Sequence, residues 1–156
     1  MCVAPRPLWQ NSNSLQMHWH ISPIGKPSFP WIRQGVTEYE KRIQRFAKLS
    51  LTPAKSHEGF QTPPAHALWI LDETGKGYST QQLADQVTDL EERGIKDITV
   101  CIGGADGVGD DLRRQADRII SLGPQTLMHE LALLVWMEQV YRIHTLKAGH
   151  PYHREG

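Results

Sequence analysis

From Met17 to Ser22 the chain alternates, with Met17, Trp19 and Ile21 apolar and His18, His20 and Ser22 polar. A period of two predicts a half-buried strand, which Pro23 ends. His18 and His20 are then expected on its solvent side, as strand residues and not as metal ligands. The period changes after Ser28 and Pro30, where Ile32, Val36, Tyr39, Ile43 and Phe46 step by fours and threes. That spacing predicts a helix with an apolar stripe and a basic opposite face of Arg33, Lys41, Arg42, Arg45 and Lys48. Leu49 to Leu51 reads as a short second strand, and Pro53 to Pro64 has neither period and predicts a loop.

Ala67 to Leu71 (ALWIL) and Ile98 to Ile102 (ITVCI) are short apolar runs of the kind buried on both faces of a sheet. A glycine-rich turn, 72–77, is expected after the first. Ser79 and Gln82 have the spacing of a capping box, opening a helix through Leu83, Val87 and Leu90 that Gly94 closes. Beyond Gly109, a short helix over 110–116, a strand over Arg118 to Leu122 and a loop over 123–128 precede a last helix over 129–145. That helix is so apolar around its circumference that a partner chain is expected to supply part of its cover. Strands alternating with helices predict an α/β fold with a mostly parallel sheet flanked by helices on both sides.

Ligands of such sheets sit beyond the carboxyl ends of the strands. Three loops meet that rule, following Leu71, Ile102 and Leu122. The second reads G-G-A-D-G-V-G, where glycines let a ligand approach bare backbone. Two phosphate motifs are excluded: no G-x-x-x-x-G-K-[ST] occurs, and Gly107-Val108-Gly109 runs into Asp110, Asp111 and Leu112, so the third glycine of G-x-G-x-x-G is missing.

At 156 residues the chain has room for one domain. Residues 1–16 carry Pro, Asn and Ser without periodicity and are expected to form a loose extension, with Met17 a candidate start. Residues 17–156 are then the single domain. Basic and acidic side chains balance at 17 each, but residues 1–48 hold seven basic against two acidic. That end could meet a phosphate backbone. Two cysteines cannot build a disulfide framework, and the longest apolar run, Leu131 to Met137, is too short for a bilayer. A cytoplasmic protein without membrane association is expected.

Six stretches together resemble the RlmH-type methyltransferases, small members of the SPOUT superfamily that methylate a pseudouridine of 23S ribosomal RNA at N3. They are W-I-x-x-G-x-x-E-Y from Trp31, L-D-x-x-G-K from Leu71, S-T-x-x-L-A from Ser79, I-G-G-A-D-G from Ile102, S-L-x-x-x-T-L-M-H from Ser121 and H-P-Y-H-R-E from His150. They come in the family's order across nearly all of 17–155. The resemblance implies a SPOUT-type sheet with a carboxyl-terminal trefoil knot, a homodimer, no metal, and S-adenosylmethionine as methyl donor. The positions it carries over for that cofactor are Leu71, Asp72, Gly103, Gly104 and the run Gly123, Pro124, Gln125, Thr126, Leu127 and Met128. Leu122 and Leu127 suit the surroundings of an adenine, and a branched side chain at Gly104 is expected to fill the ligand's space. One departure stands out. The family's helix between the second strand and the L-D strand is missing, for Thr52 to His66 is short and broken by prolines.

Methyl transfer to a ring nitrogen asks the protein for orientation, exclusion of water and removal of the N3 proton. His150 and His153 can accept a proton near neutrality, Arg154 can pair with phosphate or a developing oxyanion, and Tyr152 can stack on a base. These four are the expected catalytic residues, the base being either histidine. A zinc site of His144, His150 and His153 is disfavoured by spacings that match no zinc pattern. The competing reading is a non-catalytic α/β dimer that binds a nucleotide or RNA.

Overall fold

The computed structural model describes residue 4, residues 16–104 and residues 106–152. Most of the expected extension therefore lies outside the described residues, as do His153 and Arg154.

Five strands, β1 (His18–Pro23), β2 (Lys48–Leu51), β3 (His66–Gly77), β4 (Asp97–Ile102) and β5 (Arg118–Ser121), form one sheet in the order β2-β1-β4-β3-β5, with all pairings parallel. The helices are α1 (Pro30–Ile43), α2 (Thr80–Glu92), α3 (Asp110–Gln115) and α4 (His129–Lys147). Helices lie on both faces as expected, but unevenly. Inward residues of α1, α2 and α4 form one large core with Trp19, Ile21, Trp69, Ile98 and Val100. On the other face only Leu112 of α3 joins a small cluster of Leu68, Ile70 and Cys101. The loop over 52–65 covers part of that second face, tied down where His57 Nε2 meets Ser22 Oγ at 3.1 Å and where Thr62 donates to Gln115 Oε1 at 3.0 Å.

The main core is built on three indoles. Trp19 meets Trp69 and Trp136 edge-on, with ring centroids 5.6 and 6.1 Å apart, and such pairs add about 1 kcal/mol each beyond the area they bury. The Trp19 indole N–H donates to His144 Nε2 at 2.8 Å, so His144 is neutral at that nitrogen and is a core residue, not a ligand. Burial and then the nearby Lys147 push its pKa down to about 3.

Local signals were realised closely in α2. Ser79 Oγ accepts from Gln82 N while the Gln82 side chain accepts from Ser79 N, giving the reciprocal cap. In α1 the cap comes from elsewhere. Glu130 of α4 accepts from Ser28 N and Oγ at 2.8 and 2.7 Å and from Phe29 N at 3.3 Å, placing a carboxylate against the positive end of α1. No residue from Glu130 to Ala148 is exposed in the single chain, so the protomer itself covers much of α4.

The expected turn over 72–77 is corrected. β3 continues through it, because Leu71 and Lys76 both pair with Ile120 of β5 and the residues between them make an excursion out of the ladder. Returning, the chain packs so closely against β5 that a Cβ on Gly75 would lie 2.6 Å from the Ile119 carbonyl oxygen. Only glycine fits that approach.

Candidate active site

The excursion of β3 and the loops after β4 and β5 converge at the carboxyl edge of the sheet on a cavity of about 550 Å³. That lies within the usual range for small-ligand sites. Every residue expected at the cofactor lines it except Pro124, which is exposed beside it. The floor is apolar, from Leu71, Ile102, Ile120, Leu122 and Leu127, and the rim is polar.

Cross-links hold the rim. Asp72 accepts from Thr74 N at 2.8 Å and Thr74 Oγ1 at 2.6 Å through one oxygen, and pairs with Arg113 Nη2 at 2.9 Å through the other. Burial alone would raise the Asp72 pKa, but the Thr74 bonds and the guanidinium outweigh it and hold the carboxyl below its usual range. Its oxygens are thus committed to joining β3 with α3. On the opposite rim, Thr126 Oγ1 donates to Glu73 Oε2 at 3.0 Å, clasping the third loop to the first.

The glycines divide the work differently from expectation. A Cβ on Gly103 would lie 3.1 Å from the Gly107 carbonyl carbon, so close backbone packing is what selects glycine there. Gly107 has φ +72°, and its N–H donates to the Gly104 carbonyl at 3.0 Å to close the turn. Gly104 also lines the cavity, in different surroundings. Its φ is not positive, and a Cβ there would point at Ile24, 3.6 Å away, at ordinary contact distance.

His150 and Tyr152 are not brought to this cavity. α4 begins at its edge, where His129 and Ala132 line the wall, and runs 19 residues away, about 27 Å. His150 and Tyr152 lie past its far end. There His150 N donates to the Thr145 carbonyl, and the His150 ring meets Phe46 edge-on. The Tyr152 ring packs on Tyr141 at 4.7 Å with the Arg142 guanidinium over it at 5.0 Å, and its hydroxyl donates to Glu138 at 3.2 Å. A ring so engaged buttresses α1 against α4 within the chain. His153 and Arg154 lie outside the described residues.

Sequence reasoning missed Glu73, Thr74, Asp106, Val108, Arg113 and His129 of the lining. Arg113 had no sequence signal, since its role depends on α3 folding back over β3. His129 closes a quoted motif and is the one imidazole among the described lining residues.

A family profile described as "Predicted SPOUT methyltransferase" matches residues 17–153, the span that contains the three loops and α4. The chain belongs to that family. It is therefore a methyltransferase, and the reading of a non-catalytic dimer falls away. The chain is 41% identical over 140 residues to the ribosomal RNA large subunit methyltransferase H of Thermus thermophilus, covering 88% of this chain and 99% of the relative. It is 37% identical over 145 residues to the protein of that name from Deinococcus radiodurans, with 88% and 99% covered. A tRNA methyltransferase structure from Aquifex aeolicus superposes with TM-score 0.52 at 17% identity, covering 81% of this chain and 69% of its own. A probable methyltransferase from Bordetella pertussis does so with TM-score 0.52 at 11% identity, covering 83% and 96%. Those two likenesses concern the fold alone. Among the described residues no helix is long and apolar enough to cross a membrane.

Proposed function

We propose that this SPOUT methyltransferase transfers a methyl group from S-adenosylmethionine to N3 of a pseudouridine in 23S ribosomal RNA, on the assembled ribosome in the cytoplasm. It does so as a homodimer in which one subunit's tail serves the other's cavity. The observation that carries this reading is the separation within one chain: the cavity lies at one end of α4 and His150 at the other. A tail that takes part in chemistry must then come from a second copy. The curated relatives, named for methylation of ribosomal RNA, support the substrate class.

The cavity suits the donor. Leu122 and Leu127 would flank its adenine, backbone groups of 103–104 and 123–128 would hold its polar atoms, and Glu73 and Asp106 put negative charge on the rim, favourable to a cation. When bound, the cofactor supplies a methyl group on a sulfonium. The protein orients that methyl against the base and limits water at its side of the site, whose rim the Thr126 to Glu73 bond spans. An imidazole of the partner tail, His150 or His153, takes the N3 proton, and Arg154 answers a phosphate or the oxyanion. Lys41 on α1 and Arg45 in the turn just past its end, both exposed, offer the RNA backbone a cationic face. A knotted carboxyl-terminal half goes with this reading, as the family resemblance implies.

The test is transfer of a labelled methyl group to ribosomes lacking the modification, beside calorimetry with S-adenosylmethionine. A chain ending at Gly149 is expected to bind cofactor normally and to lose transfer by about a hundredfold or more. Mixing it with a subunit whose cavity is blocked by Gly123→Trp should restore part of the activity in the mixed dimer. No recovery on mixing would show that each tail serves its own subunit, and absence of cofactor binding would overturn the reading.

A further inference from the structure

The polar face of the sheet at its amino edge carries a cluster that methyl transfer does not use. Parallel register sets His18 of β1 beside Asp97 of β4 and Asp97 beside His66 of β3, and His20 lies two residues along β1 on the same face. Their near atoms converge on one carboxylate oxygen. From Asp97 Oδ1, His20 Nε2 is 2.8 Å away, His66 Nε2 3.8 Å and His18 Nδ1 3.9 Å. The ligand atoms of His18, His20 and Asp97 all lie within 4.8 Å of one another.

We infer that His18, His20, His66 and Asp97 form a binding site for a borderline divalent metal ion of the zinc type. Three observations carry it. Two of the nitrogens stand beyond hydrogen-bond reach of the oxygen they face. Yet bonds of about 2.05 Å in tetrahedral geometry set ligand atoms about 3.3 Å apart, between the separations seen here. Second, the far nitrogens of two rings are already held: His18 Nε2 with Ser50 Oγ at 2.7 Å and His66 Nδ1 with Thr99 Oγ1 at 3.0 Å. With those hydroxyls accepting from the far N–H, ring and tautomer would be fixed so that the near nitrogen presents its lone pair, which is how metal-bound imidazoles are usually oriented. Third, the cluster is reachable yet rigid. Its side chains are 16 to 35% exposed, and all four residues stand on adjacent strands. Three imidazoles and a carboxylate suit zinc or cobalt better than calcium or magnesium. The ion would clasp β1, β4 and β3 together where the loop over 52–65 provides no covering helix. From Asp97 to Ile102 β4 spans about 17 Å, so the site is remote from the cofactor loops.

Full-length protein stripped with chelator and titrated with Co2+ should develop the intense visible absorption of a tetrahedral site, saturating near one ion per chain. Zn2+ should displace it and raise Tm. Asp97→Asn and, in case that variant does not fold, His20→Gln should abolish the absorption, and Ser50→Ala should weaken affinity by roughly tenfold. His150→Gln should change nothing in the cobalt spectrum. A wild-type protein without the absorption, or His20→Gln protein that keeps it, would overturn the assignment. So would loss of the signal in the His150→Gln variant, which would move the ion to the tail.

Discussion

The two edges of one sheet are built by different means. At the carboxyl edge the cavity is made largely of backbone: an excursion from β3, a glycine turn after β4 and the run 122–128, joined by a few rim pairs. At the amino edge side chains do the work, since strand register alone brings three imidazoles around one carboxylate. Backbone sites need glycine where chains press together, so they leave short motifs in the sequence. Register sites need only the correct residue at the start of each strand, and they leave almost none. The first kind should fail on adding a methyl group; the second should respond to protons and metal ions.

The largest stability effect is expected at the close approach of β3 to β5. In Gly75→Ala the new Cβ would meet the Ile119 carbonyl oxygen and carbon at 2.6 and 2.7 Å and the Ile120 nitrogen at 2.8 Å, all backbone atoms of β5. Nothing flexible can yield, so β3 and β5 must separate. Overpacking of this kind costs about 3 kcal/mol or more. Urea unfolding should show that loss, together with loss of S-adenosylmethionine binding in calorimetry. A Gly75→Ala protein of wild-type stability would mean that the approach is looser than it stands here, and the contrast between the edges would lose its main support.

Beneath the amino edge, on the other face, His144 gives a smaller and pH-dependent effect. Its pKa is pushed down to about 3 in the fold, whereas an unfolded histidine titrates near 6.5. Between those values the unfolded chain takes up a proton that the folded chain refuses. Stability contributed by the neutral ring is therefore fully present above about 6.5 and drains away as pH falls toward 3. Going from pH 7 to pH 5 should cost the wild type about 2 kcal/mol on this account. His144→Gln, whose amide oxygen can still accept from Trp19, should be less stable at pH 7 and lose less on acidification. Parallel pH profiles for the two proteins in denaturant melts would count against the buried neutral imidazole.

Much of the fold was legible because local and long-range demands agreed. The capping box at Ser79, the period of α1 and the alternation in β1 each state one element and its face. The turn over 72–77 was misread because glycine marks both a turn and a place where two backbones touch, and only the neighbour distinguishes them. Lopsided cover of the sheet was hidden because Cys101 and Ile70 look as buried in sequence as Val100 and Trp69. In the candidate site, the loops were legible through their motifs, while Arg113 was not, since it reaches Asp72 across 41 residues of chain. Of the amino-edge cluster, only His18 and His20 were read, as solvent-facing strand residues. Alternation places His18 and His20 on one face, but nothing in a single chain says that strands 3 and 4 begin in register beside them.

The smallest expected effect sharpens the contrast within the glycine turn itself. Gly103 and Gly104 are adjacent in a motif and look equivalent, yet their surroundings differ. At Gly103 a Cβ would press on the backbone of Gly107 at 3.1 to 3.3 Å, and that backbone is tied by the turn bond to Gly104. At Gly104 the nearest atoms are side-chain carbons of Ile24 at 3.6 to 3.8 Å, which is favourable packing distance. An alanine there also reduces the freedom of the unfolded chain, worth about 0.4 to 1 kcal/mol where the backbone accepts it. Gly104→Ala should therefore be neutral or slightly stabilising in thermal melts, with cofactor affinity within about twofold of wild type. Gly103→Ala, by contrast, should weaken affinity because the turn must open to admit the methyl group. If Gly104→Ala instead loses cofactor binding while keeping its fold, the ligand approaches from the Ile24 side, and the cavity floor must extend beneath β1.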